Sequence, residues 1–313
     1  MHYVLKKIAL LLATLLVISL VVFLAFQIIP GDPVTQMLGT EYTETRAEAL
    51  RHELGLDQPV IVRYFKWLAG FVTGDLGISY SYSMPVSDLL SGKIAVTAWL
   101  SVLAFLLVIV ISIPLGLALA RFEGGVLDRI MTVVNQITMS IPPFFIGILF
   151  TLLFGFLLRL FTPGNFVSYH DNVGGFFGFI FFPALAIALP KSAMTVKLLR
   201  RSIVGELDED YVRTAYSRGN SRAMVLQYHV LRNAIIPVVT FLAMTLADIV
   251  AGSIIIEQVF TIPGIGRLLL LSISTRDYPV VQSIVVMIAF VVVFMNFLAD
   301  IAYQYIDPRI RLS

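Results

Sequence analysis

The sequence predicts an all-α integral membrane protein with six transmembrane helices and both termini in the cytoplasm. Three observations carry that expectation. First, the 313 residues are 58% hydrophobic and only 13% charged, with a mean hydropathy of +0.90, whereas a soluble domain is usually ~25% charged. Second, six stretches hold the ~20 mainly apolar residues that a helix needs to cross ~30 Å of hydrocarbon. Third, Lys and Arg fall mainly in the connections that one consistent parity places inside. A formal net charge of +2 excludes a nucleic-acid binder, and the apolar content excludes a disordered chain. With no cysteine, disulfide scaffolds, thiolate metal sites, iron–sulfur clusters and thiol catalysis are excluded as well.

The first span, Ile8 to Ile29, has no charged residue and follows Lys6 and Lys7. Those features also describe a signal peptide, but an h-region is ~7–15 residues and ends at a small-residue cleavage site. An uncleaved anchor is the expectation, since the run leads into Gln27-Ile28-Ile29-Pro30-Gly31-Asp32-Pro33. The second span is Ile94 to Ala120, with Pro114 and Gly116 near its end. The third, about Ile130 to Phe161, is broken by Ser140-Ile141-Pro142-Pro143, a candidate hinge. The fourth, Phe176 to about Met194, carries Pro183 and Pro190; prolines are tolerated in packed membrane helices. The fifth and sixth run from Ile235 to Ile256 and from about Val280 to Tyr303. Continuous apolar runs of this length are helical; a barrel would show many short alternating segments.

Orientation follows from the basic residues. Lys6 and Lys7, then Arg121 and Arg129, then Lys197, Arg200, Arg201, Arg213, Arg218, Arg222 and Arg232, and finally Arg309 and Arg311 all fall on one side. On the other side, the loop Thr162 to Gly175 has no Lys or Arg, and the fifth-to-sixth loop has Arg267 and Arg276. The outer segment Gly31–Lys93 has five basic and eight acidic residues and is long enough to translocate regardless of charge. The domain reading is therefore 1–30 for the tail and first helix, 31–93 for an outer helical segment, and 94–313 for a five-helix core. That core includes a cytoplasmic loop at about 198–234.

Within the outer segment, Thr43 precedes the helical run Glu48 to Leu54, which Gly55 stops; Val60 to Val72 is a second helix with Tyr64, Phe65, Trp67 and Phe71 at interface depth. In the cytoplasmic loop, Glu206-Leu207-Asp208-Glu209-Asp210 puts acid at a helix start, where the dipole favours it. The helix runs to Arg218, Gly219 supplies a left-handed stop, and Asn220 or Ser221 caps a second helix. Met224, Val225, Tyr228 and Leu231 form that second helix's apolar stripe, and Pro237 opens the fifth span. A connection between spans needs only a few residues, so a helix–glycine–helix projection of this length points to docking.

Few residues carry chemistry. Asp248, mid-span in the fifth helix, should face the interior or a wet pathway, or hydrogen-bond a partner subunit or Asn296, because a central carboxylate costs ~2.5–3.5 kcal/mol on insertion scales. Glu257, at the outer end of that helix, is expected at the interface, in reach of an outside protein or solute. Asp300 lies near the inner end of the sixth helix and reads as solvated. His2, His52, His170 and His229 are scattered, with no His-Glu-x-x-His pair, so neither a metal site nor a catalytic residue is expected. Gly174-x-x-x-Gly178 is a weak packing signal at a span edge.

Asp210-Tyr211-Val212-Arg213-Thr214-Ala215-x-x-x-Gly219, followed by Leu231-Arg232-Asn233-Ala234-Ile235-Ile236-Pro237, resembles the cytoplasmic loop of ABC importer permeases. More narrowly, it is similar to the dipeptide, oligopeptide and nickel permease family. Pro30-Gly31-Asp32-Pro33, Leu54 to Pro59, Gly74-Asp75-Leu76-Gly77-Ile78-Ser79, Glu257 to Arg267, Arg276-Asp277-Tyr278-Pro279-Val280-Val281-Gln282 and Asp307-Pro308-Arg309-Ile310-Arg311 extend the likeness along nearly the whole chain. The family's loop motif centres on Glu-Ala-Ala; here Arg213 and Thr214 replace the first two, and Ala215 and Gly219 fit.

The resemblance implies a type I ABC importer permease fold in a bacterial inner membrane. It implies a second homologous permease, two ATP-binding subunits and an extracytoplasmic solute-binding protein as partners, besides membrane lipid. Peptides are the expected solute and nickel or a nickel chelate the alternative. Asp210, Tyr211, Arg213, Thr214, Ala215, Arg218 and Gly219 are the expected ATPase-coupling residues, with Asp248 and Glu257 the candidates for pathway or binding-protein contact. No Walker A loop is present: Gly92-Lys93 is followed by Ile94, and Ser87 stands where the first glycine should be. ATP is therefore expected on the partners, with no cofactor on this chain. A secondary transporter would explain the spans and Asp248 but would not need the docking loop, and shows repeats that are absent here. A membrane-embedded enzyme would need convergent polar groups at one depth.

Overall fold

The computed structural model describes residues 2–28 and 33–306. The motif residues Pro30, Gly31 and Asp32, and the tail Asp307 to Arg311, lie outside the described residues. In chain order the helices are α1 (His2–Ile28), α2 (Pro33–Leu38), α3 (Glu44–Glu53), α4 (Val60–Thr73), α5 (Val86–Leu90), α6 (Lys93–Arg121), α7 (Val126–Ser140) and α8 (Pro143–Phe150). A π-helical stretch, Thr151–Leu157, continues α8. Then come α9 (Val173–Glu206), α10 (Asp210–Ser217), α11 (Arg222–Met224), a second π-helical stretch Val225–Val230, α12 (Leu231–Ala234), α13 (Ile236–Val259), α14 (Ile265–Ser274) and α15 (Tyr278–Ile306). Among the described residues, one isolated bridge, Ile78 to Pro85, is the only extended pairing.

Among the described residues, five helices are long and apolar enough to cross a membrane. The expected third span is instead two segments, Val126–Ser140 and Pro143–Leu157, bent by 99°. Pro142 and Pro143 have no N–H to continue the ladder, and Ile141 and Pro142 are extended. Counting this pair as one broken span gives six. The fourth span also departs from expectation. It does not end near Met194 but runs unbroken through Pro183, Pro190, Lys197, Arg200 and Arg201 to Glu206. At ~1.5 Å per residue its 34 residues reach about 51 Å, some 20 Å more than the hydrocarbon core. The basic residues therefore continue the helix as its water-facing end.

The chain divides into two compact units. One comprises Met1–Ala95 with Pro263–Val293. Here α1 leaves most of its apolar surface exposed, as a lipid-facing helix does, and α4 packs against it. Tyr64 is buried; its hydroxyl lies 2.9 Å from Ser19 Oγ, and the Phe23 ring contacts both Tyr64 and Trp67. Part of the aromatic set expected at headgroup depth thus holds α4 on α1. As anticipated, Thr43 caps α3 by accepting from Arg46 N–H.

The second unit comprises Val96–Ile262 with Phe294–Ser313. Its centre is α9, which packs against α7, α8 and α13. Phe154, Phe161, Phe166, Phe176, Phe179, Phe182 and Phe260 form a connected set of ring contacts at one end of the packing. Edge-to-face and offset pairs of this kind add ~0.5–1.5 kcal/mol beyond area burial. Gly116 on α6 lets that helix approach α9, since a Cβ there would lie 2.8 Å from Leu199 Cδ2 and 3.1 Å from its Cβ. Leu199 is fully buried and has nowhere to retreat. Gly116→Val should therefore destabilise by about 1–3 kcal/mol, read as a lower thermal midpoint of the purified protein. Leu199→Ala in the same chain should cost less than the two single effects added, because the new side chain occupies the vacated volume.

Candidate functional site

The projection between α9 and α13 is built from local signals. Asp210 sits in the first turn of α10, and Gly219, at φ +81°, ends the corner; its N–H donates to Tyr216 O at 2.9 Å. A Cβ on Gly219 would meet nothing within 4 Å, so backbone conformation and not space selects glycine. Asn220 Nδ2 donates to Ala215 O at 3.0 Å and closes the end of the helix. Ser221 Oγ then accepts from Met224 N–H at 3.4 Å, capping the next helical run.

α10 is two-faced. Val212 and Ala215 are buried and Tyr211 is half-buried, whereas Asp210, Arg213, Thr214, Tyr216, Ser217, Arg218 and Gly219 are exposed. The helix packs against the π-helical stretch, where Val225, Leu226 and Val230 are buried. The apolar stripe expected there, Met224, Val225, Tyr228 and Leu231, is corrected: Met224 and Tyr228 point outward. A π-helical stretch shifts the register by one residue per turn, which an ideal 3.6-residue period does not anticipate. Tyr211 ties α10 to the end of α9 by donating its hydroxyl to Glu206 Oε2 at 2.6 Å. Burial, and then the Glu206 carboxylate, push this phenol up to about 12. Tyr211, Thr214, Ala215, Arg218, Asn220 and His229 line a shallow surface depression of about 270 Å³. Seven predicted residues are thus together on one projection, with Ala215 and Tyr211 serving its seat.

The long helix beneath it is pinned at its inner part. Arg200 donates from Nε and Nη2 to the two oxygens of Asp128, each at 2.7 Å, and Gly124 N–H also donates to Asp128 at 3.0 Å. This bidentate pair joins α9 to α7 and to the turn before it. In the sequence Arg200 is one of several inner basic residues, and nothing beside it points to Asp128. Nothing local marks two residues 72 positions apart as partners.

Asp248 lies midway along α13, and its Oδ2 accepts from Lys191 Nζ of α9 at 2.7 Å. The expectation for Asp248 was pathway contact or a hydrogen bond to a partner subunit or Asn296; within this chain its partner is Lys191. Glu257 departs from the expected interfacial position. It is fully buried and accepts from Thr97 Oγ1 on α6 at 2.5 Å, so contact with an outside protein would require that bond to open.

In the other unit, two of the quoted motifs converge. Ser79 Oγ, Tyr80 N–H and Ser81 N–H all donate to the buried carboxylate of Asp277, at 2.5, 3.0 and 3.2 Å. Ser283 Oγ reaches Leu76 O at 3.5 Å. The clasp holds the Gly74–Pro85 loop to the start of α15. Burial, with Asp277 adding to it and Arg63 opposing, pushes the Tyr80 phenol up to about 12.

Two phenols therefore ionise late. Their folded-state pKa lies above the ordinary value of 10.0, so the stability they contribute is present below pH 10 and lost as pH rises from about 10 to about 12. An alkaline ultraviolet titration should show tyrosines ionising only near pH 12, and Tyr211→Phe should remove one of them.

Residues 112–312 match the family model described as binding-protein-dependent transport system inner membrane component, and residues 1–101 match that of the corresponding N-terminal membrane component. A Sinorhizobium fredii protein named a probable peptide ABC transporter permease is 33% identical over 309 residues, covering 99% of each chain. A Brucella abortus protein named a putative peptide transport system permease is 34% identical over 308 residues, 98% of each. The Escherichia coli glutathione transport system permease is 32% identical over 311 residues, 99% of each. With multiple spans, a helical loop between α9 and α13 and these end-to-end matches, the chain belongs to the binding-protein-dependent permease family of ABC importers, multi-pass proteins of the bacterial inner membrane.

Proposed function

We propose that this chain is the permease subunit of an ATP-driven peptide importer, forming half of the translocation pathway with a second homologous permease. Two ATP-binding subunits dock on the cytoplasmic side, and an extracytoplasmic binding protein delivers the solute. The observation that supports coupling here is the two-faced α10: its apolar side is seated on its own chain and its polar side is presented outward. A solvated loop that only obeyed the charge rule would need no such seat.

The coupling contacts are assigned to Asp210, Arg213, Thr214, Tyr216, Ser217 and Arg218, the exposed side of that helix. Ala215 and Tyr211 keep the helix rigid on the π-helical stretch and on Glu206. ATP binding favours one global state only through contacts that differ between states. A rigid α10 tied to α9 lets a shift of the ATPase reach a helix that crosses the membrane. Peptides are the assigned solute because the relatives' names specify peptide or glutathione, itself a tripeptide.

The absence of native cysteine makes the test clean. Single cysteines at Arg213 or Tyr216 should crosslink to the ATPase subunit in the assembled complex, with a yield that changes when nucleotide binds. A cysteine at buried Val212 should crosslink poorly. Absence of a crosslink from every exposed α10 position would contradict the assignment.

A further inference from the structure

The coupling helix makes no use of the ion pair between α9 and α13. On α13 the exposed residues Met244, Asp248, Ala251, Ile255 and Gln258 recur at three- and four-residue intervals, one continuous face of the helix. Asp248 lies on this face midway along the helix, with its side chain 65% exposed. A carboxylate this open at mid-span does not face hydrocarbon, because the membrane core offers an ionised group neither water nor a partner. The face therefore meets water or protein.

The pair has valence to spare. Lys191 Nζ places one of its three hydrogens on Asp248 Oδ2 at 2.7 Å. Among the described residues, its other two hydrogens and Asp248 Oδ1 have no partner. Charges held in a low-dielectric wall are stable when those remaining positions are filled. The site around them is open and adaptable. A Cβ on Gly252 would meet nothing within 4 Å, and Met194 and Met244 are exposed about one turn from Lys191 and Asp248 respectively. Methionine accommodates varied side chains, which suits a ligand constant at its ends and variable between them.

We propose that Lys191 and Asp248 form a subsite for zwitterionic peptides. Asp248 receives the α-ammonium and Lys191 the α-carboxylate, so one internal ion pair opens and two pairs with the ligand replace it. The ends of a dipeptide lie within about 7 Å, a span that the flexible lysine stem covers. The proposal rests on the peptide-importer reading and adds to it the residues that hold the charged ends.

The test uses the complete importer in vesicles and ATP-driven uptake of three probes: dialanine, N-acetyl-dialanine and dialanine amide. Asp248→Asn should lower uptake of dialanine and its amide about tenfold but not lower N-acetyl-dialanine below its wild-type level. Lys191→Gln should lower dialanine and N-acetyl-dialanine but spare the amide. An equal fall for all three probes would make the pair a structural tie or a contact with the second permease and overturn the proposal, as would no change. A second measurement needs no transport by a charge-altered variant. In the assembled importer with the ion pair intact, dialanine should slow maleimide modification of Ala251→Cys about tenfold, and failure to protect overturns the proposal. If the unsubstituted importer showed no ATP-driven uptake of dialanine, the peptide-importer reading itself would fall, which the protection measurement reads separately.

Discussion

The rest of this structure depends on a length constraint: α9 is one unbroken helix about 20 Å longer than the hydrocarbon it crosses. A helix of that length cannot be confined to the membrane, so its far end becomes a strut on the cytoplasmic side. Two interactions make the strut part of the fold. The bidentate Arg200–Asp128 pair fixes it to α7 and to the Gly124 turn, and the Tyr211–Glu206 bond fixes α10 to its tip. Removing one member of a well-formed buried pair typically costs ~3–5 kcal/mol, since the other is left uncompensated. Asp128 is almost fully buried and Arg200 partly so, which places this pair toward the lower end of that range.

This arrangement divides the charged residues by role. Asp128 and Arg200 are satisfied, with both carboxylate oxygens used and a backbone N–H added. Asp277 is satisfied in the same way by a hydroxyl and two backbone amides. Lys191 and Asp248 make one contact with each other and leave three positions open. Satisfied pairs hold elements together; an accessible pair with open valence at mid-span is suited to exchange.

Much of this was legible in the sequence because its causes are local. Apolar run length marks the spans, two consecutive prolines without N–H groups mark the break after Ile141, and Gly219 with Ser221 marks the corner between α10 and α11. The end of α9 was not legible. The hydropathy signal stops near Met194, but no glycine or proline interrupts the residues up to Val204, so the helix continues into water. Nor was the register of the π-helical stretch, because the extra residue per turn moves burial from Tyr228 to Val230 without changing composition. The pairings Asp128–Arg200, Lys191–Asp248 and Thr97–Glu257 join residues 57 to 160 positions apart. A single sequence contains no signal for such partners. That is why Glu257 was expected at an interface, and why Lys191 was not among the partners expected for Asp248.

The central claim is that the membrane part of this chain does no work of its own and is moved through α10 by subunits that hydrolyse ATP. Uptake in sealed vesicles tests it most directly, comparing this chain and its second permease with and without the ATP-binding subunits. The account predicts peptide accumulation against its gradient only when those subunits are present and hydrolysing. Accumulation of the same size in their absence, driven by an ion gradient, would contradict it.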